Sequence, residues 1–155
     1  MIISDSTTLI ILCDLKRLDL LTIFDKVYIP QKVYEEVTFK NNMNLPEFIQ
    51  IIKAPENELL SNLRRILDEG ESEAITLAVE KKSPLIIDEK KGRKIAKNLG
   101  IELIGLLGIL YLNYKKGRLS KKEIREFIDN ALSIGYRISE KLLKQFFESI
   151  DQQKF

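Results

Sequence analysis

The side chains of this sequence that could do chemistry are acids. Its 155 residues include no His and a single Cys. Mechanisms built on Ser-His, Cys-His or His-His pairs are therefore excluded, as are His-ligated zinc sites. Cys13 follows Ile11 and Leu12 and reads as a small core hydrophobe; without a second thiol there is no internal disulfide, as in a reducing compartment. Two Asp residues end short apolar runs. Asp5 follows Ile2 and Ile3 and precedes Ser6, Thr7 and Thr8, while Asp88 follows Leu85-Ile86-Ile87 just before a helical pattern. Each is a charge beside residues that belong in a core, and each also suits a helix N-cap, where strand-to-helix turns commonly place Asp. Two further acids lie on helices. Glu36 shares a face with Val33 and Val37, whereas Glu35 neighbours Lys32, Thr38 and Phe39 and is the more solvated of the two. In the stretch GESEAITLA, Glu71 lies toward Ala74 and Ile75 and Glu73 toward Leu77, so periodicity does not choose between them. Both also suit the first turn of a helix, whose N-terminus favours negative charge. Carboxylates without nitrogen or sulfur ligands select hard divalent cations, Mg²⁺ or Mn²⁺. Such ions lower the pKa of a bound water, position it against phosphorus and neutralise the leaving oxygen.

Acids so far apart in the chain need a scaffold that gathers strand ends. Short β-branched runs at Ile2-Ile3, Val27–Ile29, Ile49–Ile52, Leu85–Ile87 and Ile101–Ile104 alternate with helical patterns. Pro30 opens one helix that runs through Phe39, Ala74, Leu77 and Ala78 recur at helical spacing in another, and Lys90–Leu99 ends at Gly100, a suitable left-handed C′ residue. The alternation predicts an α/β fold with a parallel sheet covered by helices. In such a sheet ligands bind beyond the carboxyl ends of the strands, where Asp5 and Asp88 fall; neighbouring strands would bring the two carboxylates to one edge. After Ile104 the pattern is helical only: Leu107–Tyr114, a helix capped by Ser120 with Glu123 in the capping-box position, and Ser139–Ile150. The absence of repeats or a Pro/Gly-rich linker predicts one domain over residues 1–155.

The 45% hydrophobic and 31% charged content is that of a globular protein, and 25 basic against 23 acidic residues leave a net charge of +2 that does not by itself select nucleic acid. Any basic surface is local. Lys90, Lys91, Arg93, Lys94 and Lys97 follow Asp88 directly and could carry a phosphate backbone past an acidic pocket, although basic residues on a helix are more often a solvated face. The N-terminus lacks a basic segment before its apolar stretch, which Asp5 and Asp14 interrupt; neither a signal peptide nor a membrane span is expected, and the expected location is the cytoplasm. Leu142, Leu143, Phe146, Phe147 and Ile150 form one helical stripe, which is either core or, if exposed, an association surface.

The motifs SDSTTLI, IPQKVYEEV, LDEGESEAITLA, LIIDEKKGRKIA and IGLLGIL, taken in order and spacing, resemble the PIN-domain nucleases, particularly the VapC-like toxin relatives whose chains carry a GExEAI helix. The resemblance spans nearly the whole chain. It implies a PIN-like three-layer α/β/α sandwich with a central, mainly parallel sheet of four or five strands. Extra helices from about residue 120 would pack on this body or serve association. It also implies a Mg²⁺- or Mn²⁺-dependent endoribonuclease, the toxin of a toxin–antitoxin pair, acting as a homodimer with a small antitoxin partner. Carried over by position, Asp5, Glu36, Glu73 and Asp88 are the catalytic, metal-holding acids; Glu73 is preferred to Glu71 by likeness only, with Glu71 and the hydroxyl of Thr7 in support. Arg93, in the family's Gly-Arg dipeptide, joins Lys90 and Lys94 as RNA contacts. The departures are Leu106, where related chains carry Thr in an IGT-type stretch, and a Glu at the third acid position, where many toxins have Asp. These departures keep an alternative open, a catalytically weak or inactive PIN-like module that binds RNA or protein. A phosphohydrolase for a small substrate is a third possibility, without a phosphate-cradling glycine loop to support it.

Overall fold

A computed structural model describes residues 1–41 and 44–152. Five parallel strands form one sheet: β1 (Ile2–Ser4), β2 (Val27–Ile29), β3 (Ile49–Ile51), β4 (Leu85–Ile86) and β5 (Leu103–Ile104), in the order β3-β2-β1-β4-β5. The chain leaves the central β1 for β2 and β3 on one side, then returns to β4 and β5 on the other, which places a topological switch point between β1 and β4. These two strands are direct neighbours, with Ile3 opposite Leu85 and Ser4 opposite Ile86, and the Asp5 N–H donates to the Ile86 carbonyl at 2.9 Å. The sequence expectation of a helix-flanked parallel sheet therefore holds.

Strand alternation sorts the apolar side chains between two faces. Ile2 and Ile86 join a core with Leu9, Leu12, Ile109 and Leu110, contributed by α1 (Ser6–Asp14) and α6 (Leu106–Lys115). Ile3, Leu85 and Ile87 join a second core with Leu60, Ile75 and Ala96, from α3 (Glu58–Arg64), α4 (Glu69–Lys81) and α5 (Lys90–Asn98). A short 3₁₀ segment, Leu18–Phe24, precedes β2, and α2 (Gln31–Asn41) packs against α1 and α4. Gly100 ends α5 with φ +81°, a left-handed conformation that glycine adopts without strain. Neither α3 nor the 3₁₀ segment was anticipated, since neither is long enough to show a clear period.

The C-terminal helices α7 (Lys121–Ser133) and α8 (Glu140–Gln152) complete the first core. The expected capping box opens α7: the Ser120 side chain accepts the Glu123 N–H, and the Glu123 side chain accepts the Ser120 N–H, both at 3.1 Å. Ile124, Phe127 and Ile128 of α7 and Phe146 and Ile150 of α8 are buried in that core, so the apolar stripe of α8 is mostly core. Leu142 stays 48% exposed. No helix among the described residues is long and apolar enough to cross a membrane.

If α8 folds as one unit with the sheet, Phe146→Ala lowers stability by about 3 kcal/mol through the lost burial and the cavity it leaves, within a single urea transition. A separate early transition for α7 and α8 would instead divide the chain into two units.

Candidate active site

Asp5 leaves β1 in extended conformation and forms the N-cap position of α1, but its side chain makes no capping bond. It is only 3% exposed, and its Oδ1 is buried without a hydrogen-bond partner. A charge in that position is costly, because water is gone and the Ser6 backbone N–H offsets only part of the loss. Burial, with further repulsion from Asp68, Glu36 and Glu89, therefore pushes its carboxyl up to about 7.

Glu71 is the second buried acid, 7% exposed, with Oε2 likewise unpartnered. Asp68 is the N-cap of α4; its Oδ1 accepts the Glu71 N–H at 2.8 Å, and this D-x-x-E spacing turns the Glu71 side chain back toward Asp68. Glu89, the N-cap of α5, accepts the N–H groups of Lys91 at 3.0 Å and Gly92 at 2.5 Å. Burial, then the neighbouring carboxyls of Asp68 and Glu89 and the charge of Asp5, push Glu71 up to about 9. For Glu89, burial opposes ionisation, but the proton of Glu71 and the two backbone N–H groups outweigh it, and its pKa falls. Carboxylates offer one another no donor, so a proton or a cation must lie between them. Glu36 enters from α2 with its Oε1 against Gly70: a Cβ on Gly70 would stand 2.6 Å from it. Gly92 is equally close to Glu71, where a Cβ would meet Oε2 and the Ile87 Cδ1, each at 2.7 Å.

Asp88 lies at the same sheet edge but on the opposite face. It follows the parity of Ile86, whereas Asp5 follows Ile3 and Glu89 follows Ile87. Its carboxylate accepts from the Thr8 hydroxyl, from the Leu106 N–H at 3.2 Å and from the Tyr136 hydroxyl at 2.9 Å. Burial and then the Asp88 charge push the Tyr136 phenol well above its usual range, so it stays a donor. Leu106 begins α6, whose N-cap, Gly105, has no side chain to cap with; Asp88 supplies that oxygen. A Cβ at Gly105 would come within 2.7 Å of Asp88 Oδ1. Arg93 lies beside this group, its Nη1 donating to the Ile87 carbonyl at 2.5 Å. Two open cavities, of about 880 and 430 Å³, share Asp88, Tyr136 and Arg137 as walls.

A family model described as a PIN domain, DUF3368, matches residues 1–152. This chain belongs to the PIN-domain family. Its members are generally nucleases. A solved structure, a PilT N-terminus domain protein from the hyperthermophilic archaeon Sulfolobus solfataricus P2, superposes with a TM-score of 0.50 at 21% identity, covering 72% of this chain and 92% of that one. That likeness shows the fold. No curated protein matches.

Of the acids expected from the PIN resemblance, the structure gathers Asp5 and Glu36 with Glu71. Glu73 lies elsewhere on α4: burial and a hydrogen bond with Glu69, opposed by the Lys32 backbone N–H, push it up to about 7. Glu69 is in turn held by Arg64, at 2.8 Å, which also grips Glu56 at 2.7 Å. Asp88 shares the edge but turns to Thr8 and Tyr136. Thr7 is exposed, and the buried hydroxyl on an acid is that of Thr8. Leu106, where the resemblance leads one to expect Thr, bonds Asp88 through its backbone N–H alone. Arg93 and Lys90 border the larger cavity, while Lys94 is exposed on α5. Asp68, Glu89 and Tyr136 were not anticipated. The D-x-x-E spacing could have shown the first and strand parity the second; nothing local marks Tyr136. Cys13 is buried as expected, and burial pushes its thiol up to about 11.

The donor chemistry and the two orphan oxygens fit a hard divalent cation. As placed, no three acids, His or Cys among the described residues are arranged to hold one, so binding requires the Glu side chains to close by rotation.

Raised carboxyl pKa values mean that the folded state binds protons the unfolded chain has released. Their contribution is complete below about pH 4 and is lost as pH rises through about 7 for Asp5 and 9 for Glu71. In EDTA at pH 9, Asp5→Asn therefore melts above the wild type by about 10 °C, from a rise of about 3 pKa units at about 1.4 kcal/mol per unit and about 2–4 °C per kcal/mol for this chain length. At pH 4 the two melt together, and calorimetry across the range checks the convergence. Gly92→Ala gains helix propensity yet drives a methyl into Glu71 and Ile87, so it destabilises by about 1–3 kcal/mol; a gain in urea midpoint would contradict the placement of Glu71.

Proposed function

We propose that this PIN-domain protein is a Mg²⁺- or Mn²⁺-dependent endoribonuclease that hydrolyses RNA phosphodiester bonds. The observation that carries the reading is the pair of buried, unpartnered oxygens, Asp5 Oδ1 and Glu71 Oε2, at the switch point of the sheet. Asp5, Glu36 and Glu71, with Asp68 and Glu89 beside them, would hold the cation. When bound, it supplies an acidified water and neutralises charge on the leaving oxygen. Asp5 is the rigid member, fixed at the end of the central strand, whereas the three Glu side chains adjust. Glu71, rather than Glu73, takes the place of the third acid in this proposal. Asp88, already committed to three donors, fixes α1, α6 and Tyr136 at the mouth. Arg93 and Lys90 border that mouth and suit the phosphates of the substrate. The resemblance to VapC-like chains supports the further reading of a toxin with a small antitoxin and a homodimeric state.

A non-cleaving binding module is the second reading, favoured by the open spacing of the acids as placed. A panel of single-stranded and structured RNAs, incubated with Mn²⁺, Mg²⁺ or EDTA, separates the two. The wild type cuts only with metal; Asp5→Asn and Glu71→Gln fall to the EDTA level with circular dichroism unchanged, and Glu73→Gln retains most activity. Cutting that persists in Asp5→Asn would remove the assignment, and RNA bound but uncut by the wild type would establish the second reading.

A further inference from the structure

The larger cavity beside Asp88 has a composition that the cleavage chemistry does not use. Its floor is apolar, formed by Leu103 and Ile104 of the edge strand, Leu107 and Tyr111 of α6, and Leu142 of α8. Tyr136 closes the end nearest Asp88. Lys90, Arg93 and Arg137 stand among its walls, against the single opposing acid Glu102 and Asp88 itself. Asp88 is bonded to Tyr136, and Arg93 is pre-placed by its bond to the Ile87 carbonyl. On the far side of the Asp88–Tyr136 bond lies the smaller cavity, with Thr7, Asp14 and Glu89 in its walls. Glu89 also neighbours Glu71, so the smaller cavity shares walls with the chamber on one side and one residue with the acid cluster on the other.

We propose that this chamber is a subsite for an unstacked base of single-stranded RNA, adjoining the cleavage site, with Lys90, Arg93 and Arg137 on the flanking phosphates. The proposal rests on the ribonuclease reading above and deepens it. Four observations favour a nucleotide occupant. Two Tyr residues border the chamber, as stacking platforms do; its three cations complement a polyanion; about 880 Å³ is ample for one nucleotide; and the smaller cavity that shares Asp88, Tyr136 and Arg137 with it has Glu89, a neighbour of Glu71, in its wall. Single-stranded nucleic acid is bound by this combination of aromatic faces and a basic groove, and its sequence-specific reading targets bases splayed out of a stack. A base inside a duplex cannot enter, so the chamber makes the enzyme specific for unpaired RNA. Tyr111 and Arg137 contact the substrate in this arrangement but play no part in the hydrolysis.

The test measures binding and cleavage separately. Fluorescence anisotropy in EDTA gives the affinity for a labelled eight-nucleotide single-stranded RNA and for the same sequence in a duplex. Cleavage in Mn²⁺ at saturating RNA gives the turnover. The wild type prefers the single strand. Tyr111→Ala weakens its binding about tenfold, in line with about 1–3 kcal/mol per stacked base, with turnover at saturation largely kept. Tyr111→Phe binds as the wild type does, and exposed Arg137→Gln weakens binding and flattens its salt dependence. Circular dichroism and melting temperature accompany each variant; if Tyr111→Ala does not fold, Arg137→Gln and Tyr111→Phe decide. Unchanged affinity in Tyr111→Ala and Arg137→Gln, with cleavage intact in the wild type and lost in Asp5→Asn, overturns the subsite and leaves the nuclease standing. RNA neither bound nor cut by the wild type overturns both. If Tyr111→Ala and Leu142→Arg instead convert a dimer to a monomer in sedimentation without altering RNA affinity, the chamber is an interface between copies and the base assignment fails.

Discussion

A carboxylate confined to the end of the central strand is the constraint around which the rest of this molecule is arranged. Asp5 cannot retreat to solvent, because its backbone is locked to Ile86 and its side chain lies between α1 and the acids of α4 and α5. An ion in such surroundings, with one oxygen left without a donor, is among the costliest features a small domain can carry. The fold tolerates it through two features. Asp5, Asp68 and Glu89 are the N-caps of α1, α4 and α5, so three helix N-termini direct partial positive charge toward the cluster. The raised carboxyl pKa values let protons stand in where a cation would otherwise balance the charge. For Asp68 and Glu89 the reading as caps and the reading as ligands are therefore not rivals, since capping is what places them; Asp5 is placed by its backbone alone.

The pleat of the sheet divides the acids further. Asp5 and Asp88 follow adjacent parallel strands, yet one points toward α4 and the other toward α1 and α6, because side chains alternate along each strand. Glu89, one residue on, returns to the face of Asp5. The edge thus has an acidic side, where unpaired oxygens remain, and a bonded side, where Thr8, Leu106 and Tyr136 satisfy Asp88. The first is suited to a cation and the second to holding α1, α6 and the α7–α8 turn in register. That turn depends on Gly135, whose φ of +103° redirects the chain so that Tyr136 reaches Asp88. The helices after Ile104 consequently do more than cover the first core: they supply part of the wall that separates the two cavities.

Much of this architecture was legible in the order of residues. The five β-branched runs, Gly100 and the Ser120–Glu123 box are local signals, and each agrees with the element it forms, whereas the N-cap of α5 is Glu89 rather than Asp88. Histidine-based chemistry was excluded by counting, and Asp5, Asp88 and Glu36 were marked by their positions after strands or on a helix face. Glu71 against Glu73 was not decided by periodicity, because the apolar neighbours of each, Ala74 and Ile75 for Glu71 and Leu77 for Glu73, belong to the same buried face of α4. Glu71 meets Asp5 and Glu89, from β1 and α5, whereas Glu73 meets its own helix neighbour Glu69, held by Arg64, and the N-terminal turn of α2.

What the chain determines alone is therefore a parallel α/β body whose strand ends carry acids. Alternation and capping act over a few residues and need no distant partner. Which acids share a site is a long-range matter. It depends on β1 and β4 becoming neighbours, on strand parity sending Asp88 to one face and Glu89 to the other, and on Tyr136 arriving from a turn 48 residues beyond Asp88. Burial itself, which strips water from Asp5 and Glu71 and raises their proton affinity, exists only once the helices have closed over the sheet.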